Sequence, residues 1–321
     1  MDDPTAFGEG GTGRVRYLRV SVTDRCDLRC AYCRPVQRFR EAPRSALLTL
    51  EEIAEIVRIA AEQGVDKVRV TGGEPLGRSN MAWLLGALAG VPGLRDRGVT
   101  TNGRLLGRFV PLLAELDYRV NVHLDTLDPR RYREVCGLGD PEPVVSGIRD
   151  AWAAGIRLKI NAVVLPETTV EDALRLVRFG LGGGADVRFI EAMPVGGTAP
   201  DADCREAARR LEEGLVQALD AAPAGSDGVA RTYGVPGASG RVGFITPSHP
   251  GFCAGCEKLR LSCRGLLRTC LFARSGTDLR PALRSGRLDR VRDRVRDAMI
   301  RKSCADGREG PEVSTMVGIG G

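Results

Sequence analysis

The chain has 321 residues with 47 Lys+Arg, 41 Asp+Glu, ten cysteines and two histidines, a length that allows one large domain or a large domain with an appendage. Its 43% hydrophobic and 27% charged residues exclude wholesale disorder, and its longest apolar window, residues 82–91, falls short of the roughly 20 residues needed to span a bilayer. The acidic Met-Asp-Asp-Pro start lacks an apolar core and reads as no secretory signal, so a cytoplasmic protein is expected, with thiols reduced or bound to metal.

Six β-branched runs are predicted as strands at 15–22, 67–71, 98–101, 119–124, 157–165 and 186–191. Longer amphipathic stretches separate them. In the one at 50–63, Ile53, Ile56, Val57 and Ala60 follow the helical period. Thr49 is placed to cap it, Glu51 and Glu52 lie in its first turn, and Gly64 sits where the helix should stop. Six strand–helix units in series imply an α/β fold with a parallel sheet. Polar groups gather just after the strand ends, at Thr23-Asp24-Arg25, Thr71-Gly72-Gly73-Glu74, Thr101-Asn102-Gly103, Asp125-Thr126 and Glu191. Barrels of the (β/α) type build active sites at that end, which favours a complete or partial barrel over an open sheet.

A helix is expected at 201–219, and the Gly/Pro/Ser-rich stretch 221–240 reads as linker and irregular structure. Beyond it come short strands, four cysteines and two Arg-rich helical patterns. Residues 1–252 carry a net charge of −1 and residues 253–308 a net of +9, which places an anionic ligand towards the C-terminal part. The alternative is a solvated Arg-rich helix, and residues 284–301 read that way. The expected division is 1–234 for the barrel and 235–321 for a small second domain.

Two cysteine groups carry the chemistry. Cys26-x3-Cys30-x2-Cys33 follows the first strand, and three thiolates within eight residues can wrap one Fe–S cube, leaving one iron free for a small molecule. Zinc would want a fourth ligand, and neither histidine is near in sequence. Cys253-x2-Cys256-x13-Cys270 is a second group; with Cys263 it could instead form a four-thiolate zinc ribbon. A zinc-containing RNA-binding module is therefore the reading from another class, but 5% aromatic residues and no Arg/aromatic surface speak against nucleic acid.

The first spacing, with Gly72-Gly73-Glu74-Pro75 at the next strand end, resembles the radical SAM enzymes. That resemblance implies a partial (β/α)6 TIM-like barrel and a [4Fe–4S] cluster on Cys26, Cys30 and Cys33. The cluster's open iron chelates S-adenosylmethionine and yields a 5′-deoxyadenosyl radical. The segments around Arg188-Phe-Ile-Glu-Ala-Met-Pro, Cys253 to Phe272 and the terminal Ile-Gly-Gly extend the similarity across almost the whole chain. They resemble the GTP 3′,8-cyclase family, which opens molybdenum cofactor biosynthesis. This implies a second [4Fe–4S] cluster on Cys253, Cys256 and Cys270 that anchors the guanine, in a small C-terminal Fe–S-binding domain. It also implies S-adenosylmethionine contacts at Tyr32, Gly73, Glu74, His123 and Met193. GTP contacts are implied at Arg19, Arg69, Thr100, Lys159, Lys258, Leu259 and Arg260, and an active-site tail at Gly320 and Gly321. An external electron donor, a downstream cyclic pyranopterin monophosphate synthase and a monomer or homodimer off the membrane complete the expectation. The chain departs from the family pattern at Glu257, Lys258, His123, Ser79-Asn80 and the extra Cys263, which keeps open a paralogue acting on another nucleotide or metabolite.

Overall fold

The computed structural model describes residues 15–33, 41–193, 202–249, 252, 256–273 and 275–304. In chain order, the first half runs β1 (Tyr17–Ser21), α1 (Leu50–Glu62), β2 (Lys67–Thr71), α2 (Met81–Ala89), β3 (Asp96–Thr101), α3 (Leu106–Glu115) and β4 (Arg119–His123). It continues with α4 (Pro129–Cys136), α5 (Glu142–Ala153), β5 (Leu158–Val164), α6 (Val170–Gly182), β6 (Asp186–Glu191) and α7 (Ala202–Ala218). The remainder is β7 (Ala222–Asp227), β8 (Ala230–Gly234), β9 (Arg241–Ile245), β10 (Lys258–Leu261), β11 (Leu266–Arg268), β12 (Thr277–Asp278), α8 (Arg280–Arg284) and α9 (Leu288–Cys304).

Strands β1 to β6 are parallel neighbours in sequence order, joined by helical crossovers: the partial (β/α)6 barrel that was expected. Helix α1 forms for the reasons legible in its sequence. Glu52 N donates to Thr49 Oγ1 at 3.1 Å while Thr49 N donates to Glu52 Oε2 at 2.8 Å, a complete capping box. Ile53, Ile56, Val57 and Ala60 are buried against the sheet, and Gly64 takes φ +101° just past the end.

The segment 221–240 is not a linker. It folds into the antiparallel hairpin β7–β8, with Asp227 opposite Ala230 across a two-residue Gly228-Val229 turn. The composition misleads because five of the six β7 residues are exposed and need no apolar alternation; backbone pairing with β8 forms the strand. The hairpin leads into β9, which pairs parallel with β6, and β10 pairs parallel with β1 at the other end. The sheet order is β12-β11-β10-β1-β2-β3-β4-β5-β6-β9-β8-β7, so strands after residue 234 extend both ends of one twelve-stranded sheet. The Arg-rich α9 packs on α1 and buries Val291, Val295 and Ala298, so it is a docked helix with a solvated basic face. Among the described residues, no helix is long and apolar enough to cross a membrane.

Burial alternates through β4, β5, β6 and β10 and along most of β1 and β2. Leu18, Val20, Val68, Val70, Val120, Val122, Ile160 and Val187 are fully buried under the helices. The other face carries Tyr17, Arg19, Lys67, Arg69, Asn121, His123, Lys159, Asn161 and Arg188, partly accessible in the barrel lumen. A lumen lined by charged and polar groups is a binding site rather than a core.

Candidate active site

The first cysteine loop leaves β1 and is pinned by backbone contacts on two sides. Arg29 N donates to Cys136 O and Ala31 N to Val135 O, both at 3.0 Å, which docks it on the end of α4. Opposite, Gly73 N donates to Thr23 O at 2.7 Å and Glu74 N to Arg25 O at 2.8 Å. This approach explains the glycine pair. A Cβ on Gly73 would lie 2.0 Å from Arg25 O, and Gly72 has φ +145° with Thr23 O 2.5 Å from where its Cβ would be.

Cys26, Cys30 and Cys33 are all partly exposed on this loop. Asn102 Nδ2 reaches Cys26 Sγ at 3.7 Å and Asp27 Oδ1 at 2.7 Å. The Cys30 thiol is lowered chiefly by a hydrogen bond with Cys136, which outweighs its burial, with the charge of His123 adding to it. Among the described residues, no three His, Cys, Asp or Glu side chains converge tightly enough for one metal ion. Three soft, accessible thiols on a loop that backbone hydrogen bonds hold rigid fit a cube instead, whose ligands sit on different irons and stand farther apart.

Of the expected S-adenosylmethionine contacts, Tyr32 and His123 meet directly. The Tyr32 hydroxyl is hydrogen-bonded to His123 Nε2 and donates to Asp125 Oδ2 at 2.8 Å, while His123 Nε2 lies 3.0 Å from the same oxygen. Asp125 Oδ1 is anchored by Val163 N at 2.7 Å. Burial works against a charged His123, but Asp125 outweighs it and raises the ring to about 8. Glu74 is turned away from the lumen. Its carboxylate accepts from Leu76 N, Thr101 Oγ1 and Asn102 N at 2.9, 2.8 and 2.7 Å, so it ties the Gly-Gly turn to the end of β3. Burial pushes it up to about 7 against those three donors. Met193 lies across the sheet from this loop, packed on Leu271 beside the second cysteine group.

At that second group, Cys253 lies outside the described residues, as do Gly320 and Gly321. Cys256 lies two residues before β10, and Cys270 follows β11 and accepts from Phe272 N at 3.4 Å. Burial opposes the Cys256 thiolate, but the Lys258 N–H and the ammonium groups of Lys302 and Lys258 outweigh it and lower the thiol. Cys263 is different. It is buried with Ala42 and Leu47, and burial pushes it up to about 11, the reverse of what a ligand thiolate needs. The zinc-ribbon reading, which needs Cys263, has no support in this placement.

The expected GTP contacts, with one exception, line the lumen together. Strand register puts Arg260 beside Arg19 and Arg19 beside Arg69, with Thr100, Asn121 and Lys159 in the next row. Gly98 lies beside Arg69, and the Arg69 side chain crosses the space a Cβ would fill. Tyr17 is flanked by Arg69 and Lys258 at 5.6 and 5.7 Å from its ring centre. Burial and then Arg260 and Arg19 lower Lys258 to about 8; burial and then Arg19 lower Arg260 to about 10. Such crowding of like charge favours an anion. Thr100 Oγ1 and Arg188 Nε are buried without a hydrogen-bond partner among the described residues, so an incoming acceptor is needed there as well. The exception is Leu259, which is fully buried on the opposite face of β10 and offers the lumen only its main chain. Glu257, one of the departures from the family pattern, stands 3.9 Å from Lys67.

Sequence reasoning missed four groups. Arg188 shares the lumen face with Asn161, and extending the period-two pattern through β6 would have found it. Asp125 was visible only as a polar strand end. Cys136, apparently incidental from sequence, is buried against Cys30. Asp227 pairs with Lys159 and Arg188 from the unexpected hairpin, and nothing local in sequence points to it.

Comparison with known proteins agrees with this geometry. Residues 20–180 match the model of the radical SAM superfamily, and residues 185–306 match the molybdenum cofactor synthesis C-terminal family. The chain is 40% identical over 310 residues to the GTP 3′,8-cyclase of Pseudomonas entomophila, covering 92% of this chain and 91% of that one. It is 40% identical over 310 residues to that of Brucella canis, covering 94% and 88%. The GTP 3′,8-cyclase of Alkaliphilus metalliredigens is 39% identical over 274 residues, or 83% of each chain. Among solved structures, Streptococcus suis SuiB bound to S-adenosylmethionine superposes with a TM-score of 0.64 at 20% identity, a likeness of fold. It covers 87% of this chain, which spans 65% of that longer protein. Taken with the cysteine loop and its glycine cradle, these matches place the chain in the GTP 3′,8-cyclase family of the radical SAM superfamily.

Proposed function

We propose that this chain cyclises GTP to 3′,8-cyclo-7,8-dihydroguanosine 5′-triphosphate, the first step of molybdenum cofactor biosynthesis. The observation that carries the reading is the lumen: a basic wall on β10, β1, β2 and β5 that runs from the second cysteine group to the first cysteine loop. When bound on the first cluster, S-adenosylmethionine would supply the 5′-deoxyadenosyl radical that takes the ribose 3′ hydrogen; C3′ would then bond to C8, with one electron from the external donor and one proton at N7 completing the 7,8-dihydro product.

The protein's own share is holding and orienting. Cys26, Cys30 and Cys33 would ligate one [4Fe–4S] cluster, and Cys253, Cys256 and Cys270 a second. Gly73 and Glu74 keep the turn beneath the first loop close enough for main-chain contact with the methionine amino group, and Tyr32 is set by His123 and Asp125 to face the adenine. The guanidinium forks of Arg19, Arg69 and Arg260 suit paired phosphate oxygens, while Lys159 and Lys258 act as point charges. Thr100 Oγ1 supplies a neutral hydrogen bond. With both clusters and the nucleotide bound, the barrel would keep water and oxygen from the carbon radical. The division of labour follows the expected 1–234 and 235–321 units, although one sheet runs through both. A cytoplasmic setting, an external one-electron donor and a downstream synthase for the cyclic product belong to the same proposal.

The test is an anaerobic turnover with GTP, S-adenosylmethionine and dithionite, analysed by mass spectrometry. A cyclised guanine nucleotide formed together with 5′-deoxyadenosine supports the reading. 5′-Deoxyadenosine formed while GTP stays intact overturns it in favour of another substrate.

A further inference from the structure

The hairpin β7–β8 brings a carboxylate into the cationic lumen. Asp227, at its turn, is ion-paired with both Lys159 of β5 and Arg188 of β6, 68 and 39 positions earlier in the chain. Lys159 keeps a second partner, Asp186, at 3.4 Å, and Arg119 adds its charge to the Asp227 environment. Burial opposes the Asp227 charge, yet Lys159 and Arg188 hold its carboxyl below the usual range. It does not saturate them, because Arg188 Nε remains buried without a hydrogen-bond partner among the described residues.

The element that carries Asp227 is lightly held. Five of the six β7 residues are exposed, its pairing with β8 shifts register between Pro223 and Ser226, and Gly228 beside it turns at φ +65°. A carboxylate on two cations occupies the place an oxyanion ligand would take. Because it is tethered, it competes at a high effective concentration. Every ligand that needs Lys159 and Arg188 therefore has its affinity divided by one common factor. A lone phosphate, with only those two cations to gain, is kept off at cellular concentrations. A polyphosphate that also reaches Arg69, Lys258 or Arg260 still binds.

We propose that Asp227 is an internal counter-ion that lowers the affinity of Lys159 and Arg188 for every oxyanion by one factor, so that an anion long enough to engage the rest of the lumen displaces it where a lone phosphate does not. This rests on the reading of the lumen as a nucleotide site. The test is calorimetric titration of the cluster-loaded protein and its Asp227→Asn variant with orthophosphate, inorganic tripolyphosphate, GTP, ATP and guanosine. Asn should tighten orthophosphate, tripolyphosphate and GTP by one shared factor of at least fivefold and leave guanosine unchanged. Asp227→Ser should match it, and Asp227→Glu should restore wild-type values. Tripolyphosphate affinity that is unchanged or weaker in both Asn and Ser variants overturns the proposal. The two readings fail separately. Tighter tripolyphosphate binding with GTP and ATP bound alike overturns the GTP assignment and keeps the counter-ion. Guanine-selective binding with no gain in the variants does the reverse.

Discussion

Substituting Gly73 by Ala tests whether the Gly-Gly turn sets the position of the first cysteine loop. The backbone of Gly73 does not require glycine for its dihedral angle, since its φ is not among the positive values, so the requirement is space. The added methyl would meet Arg25 O at 2.0 Å, Arg25 C at 2.4 Å and Cys26 N at 3.0 Å, all main-chain atoms that no rotamer can move aside. Ordinary contact begins at 3.4 Å, so turn and loop must part by more than an ångström. That separation breaks Gly73 N to Thr23 O and Glu74 N to Arg25 O, each worth about 1 kcal/mol and more if the donors stay buried. With the overpacking cost, the expected loss is about 2–4 kcal/mol. It is read as a fall of about 5 °C or more in the unfolding temperature of the cluster-free protein. After anaerobic reconstitution the variant should retain only the second cluster, near half the wild-type iron and sulfide. Gly86→Ala in α2 is the control: its Cβ meets nothing within 4 Å, and a helix-interior Ala should stabilise by about 0.5–1 kcal/mol. A Gly73→Ala protein with wild-type iron and unfolding temperature would refute the close-approach argument.

Three further outcomes follow from the same geometry. Glu74 holds its proton up to about 7 in the folded protein but only to about 4.5 when unfolded. Between those values the folded state binds more protons, so stability present at low pH is lost as pH rises through 7, by up to about 3 kcal/mol. Urea unfolding at pH 5 and 8 should show that loss in wild type and a much smaller one in Glu74→Gln; equal slopes would refute the buried-carboxylate reading. Thr49→Ala removes the capping box of α1 and should cost about 1 kcal/mol by urea midpoint, with no change in iron content; a neutral result would mean that Glu52 and Arg284 alone hold that end. His123→Ser takes a partner from Tyr32 and Asp125 and leaves a space between them. The expected destabilisation is about 2 kcal/mol, and wild-type stability would show that the three-way contact carries no energy.

Much of the barrel was legible because its signals are local. The 3.6-residue spacing of Ile53, Ile56, Val57 and Ala60, framed by Thr49 and Gly64, needs only sixteen residues to read. So does the run of polar groups after each strand, which points to the end of the barrel where the first cysteine loop lies. The hairpin was missed because Ala222–Asp227 is largely exposed and carries no alternation; the glycine of the tight Gly228-Val229 turn was its one cue. That β9 and β10 extend opposite ends of the sheet is a non-local choice with no signature in either segment. The same limit hid Asp227, whose partners are 68 and 39 positions away. Leu259 shows another kind of error. Matching a contiguous motif carried it along with Lys258 and Arg260, whereas a strand sends alternate residues to opposite faces. Cys263 was ambiguous for a related reason, since spacing counts thiols but burial decides which of them can ionise.

The account's central claim is that the two cysteine groups and the cationic lumen place the ribose of GTP against the radical source. The most direct measurement is an anaerobic single turnover of the cluster-loaded protein with S-adenosylmethionine, dithionite and GTP deuterated at C3′, following 5′-deoxyadenosine by mass spectrometry. Deuterium in 5′-deoxyadenosine, together with a cyclised nucleotide lacking that label, is the predicted result. Unlabelled 5′-deoxyadenosine formed while GTP is consumed would contradict abstraction at C3′ and with it the proposed placement of the nucleotide.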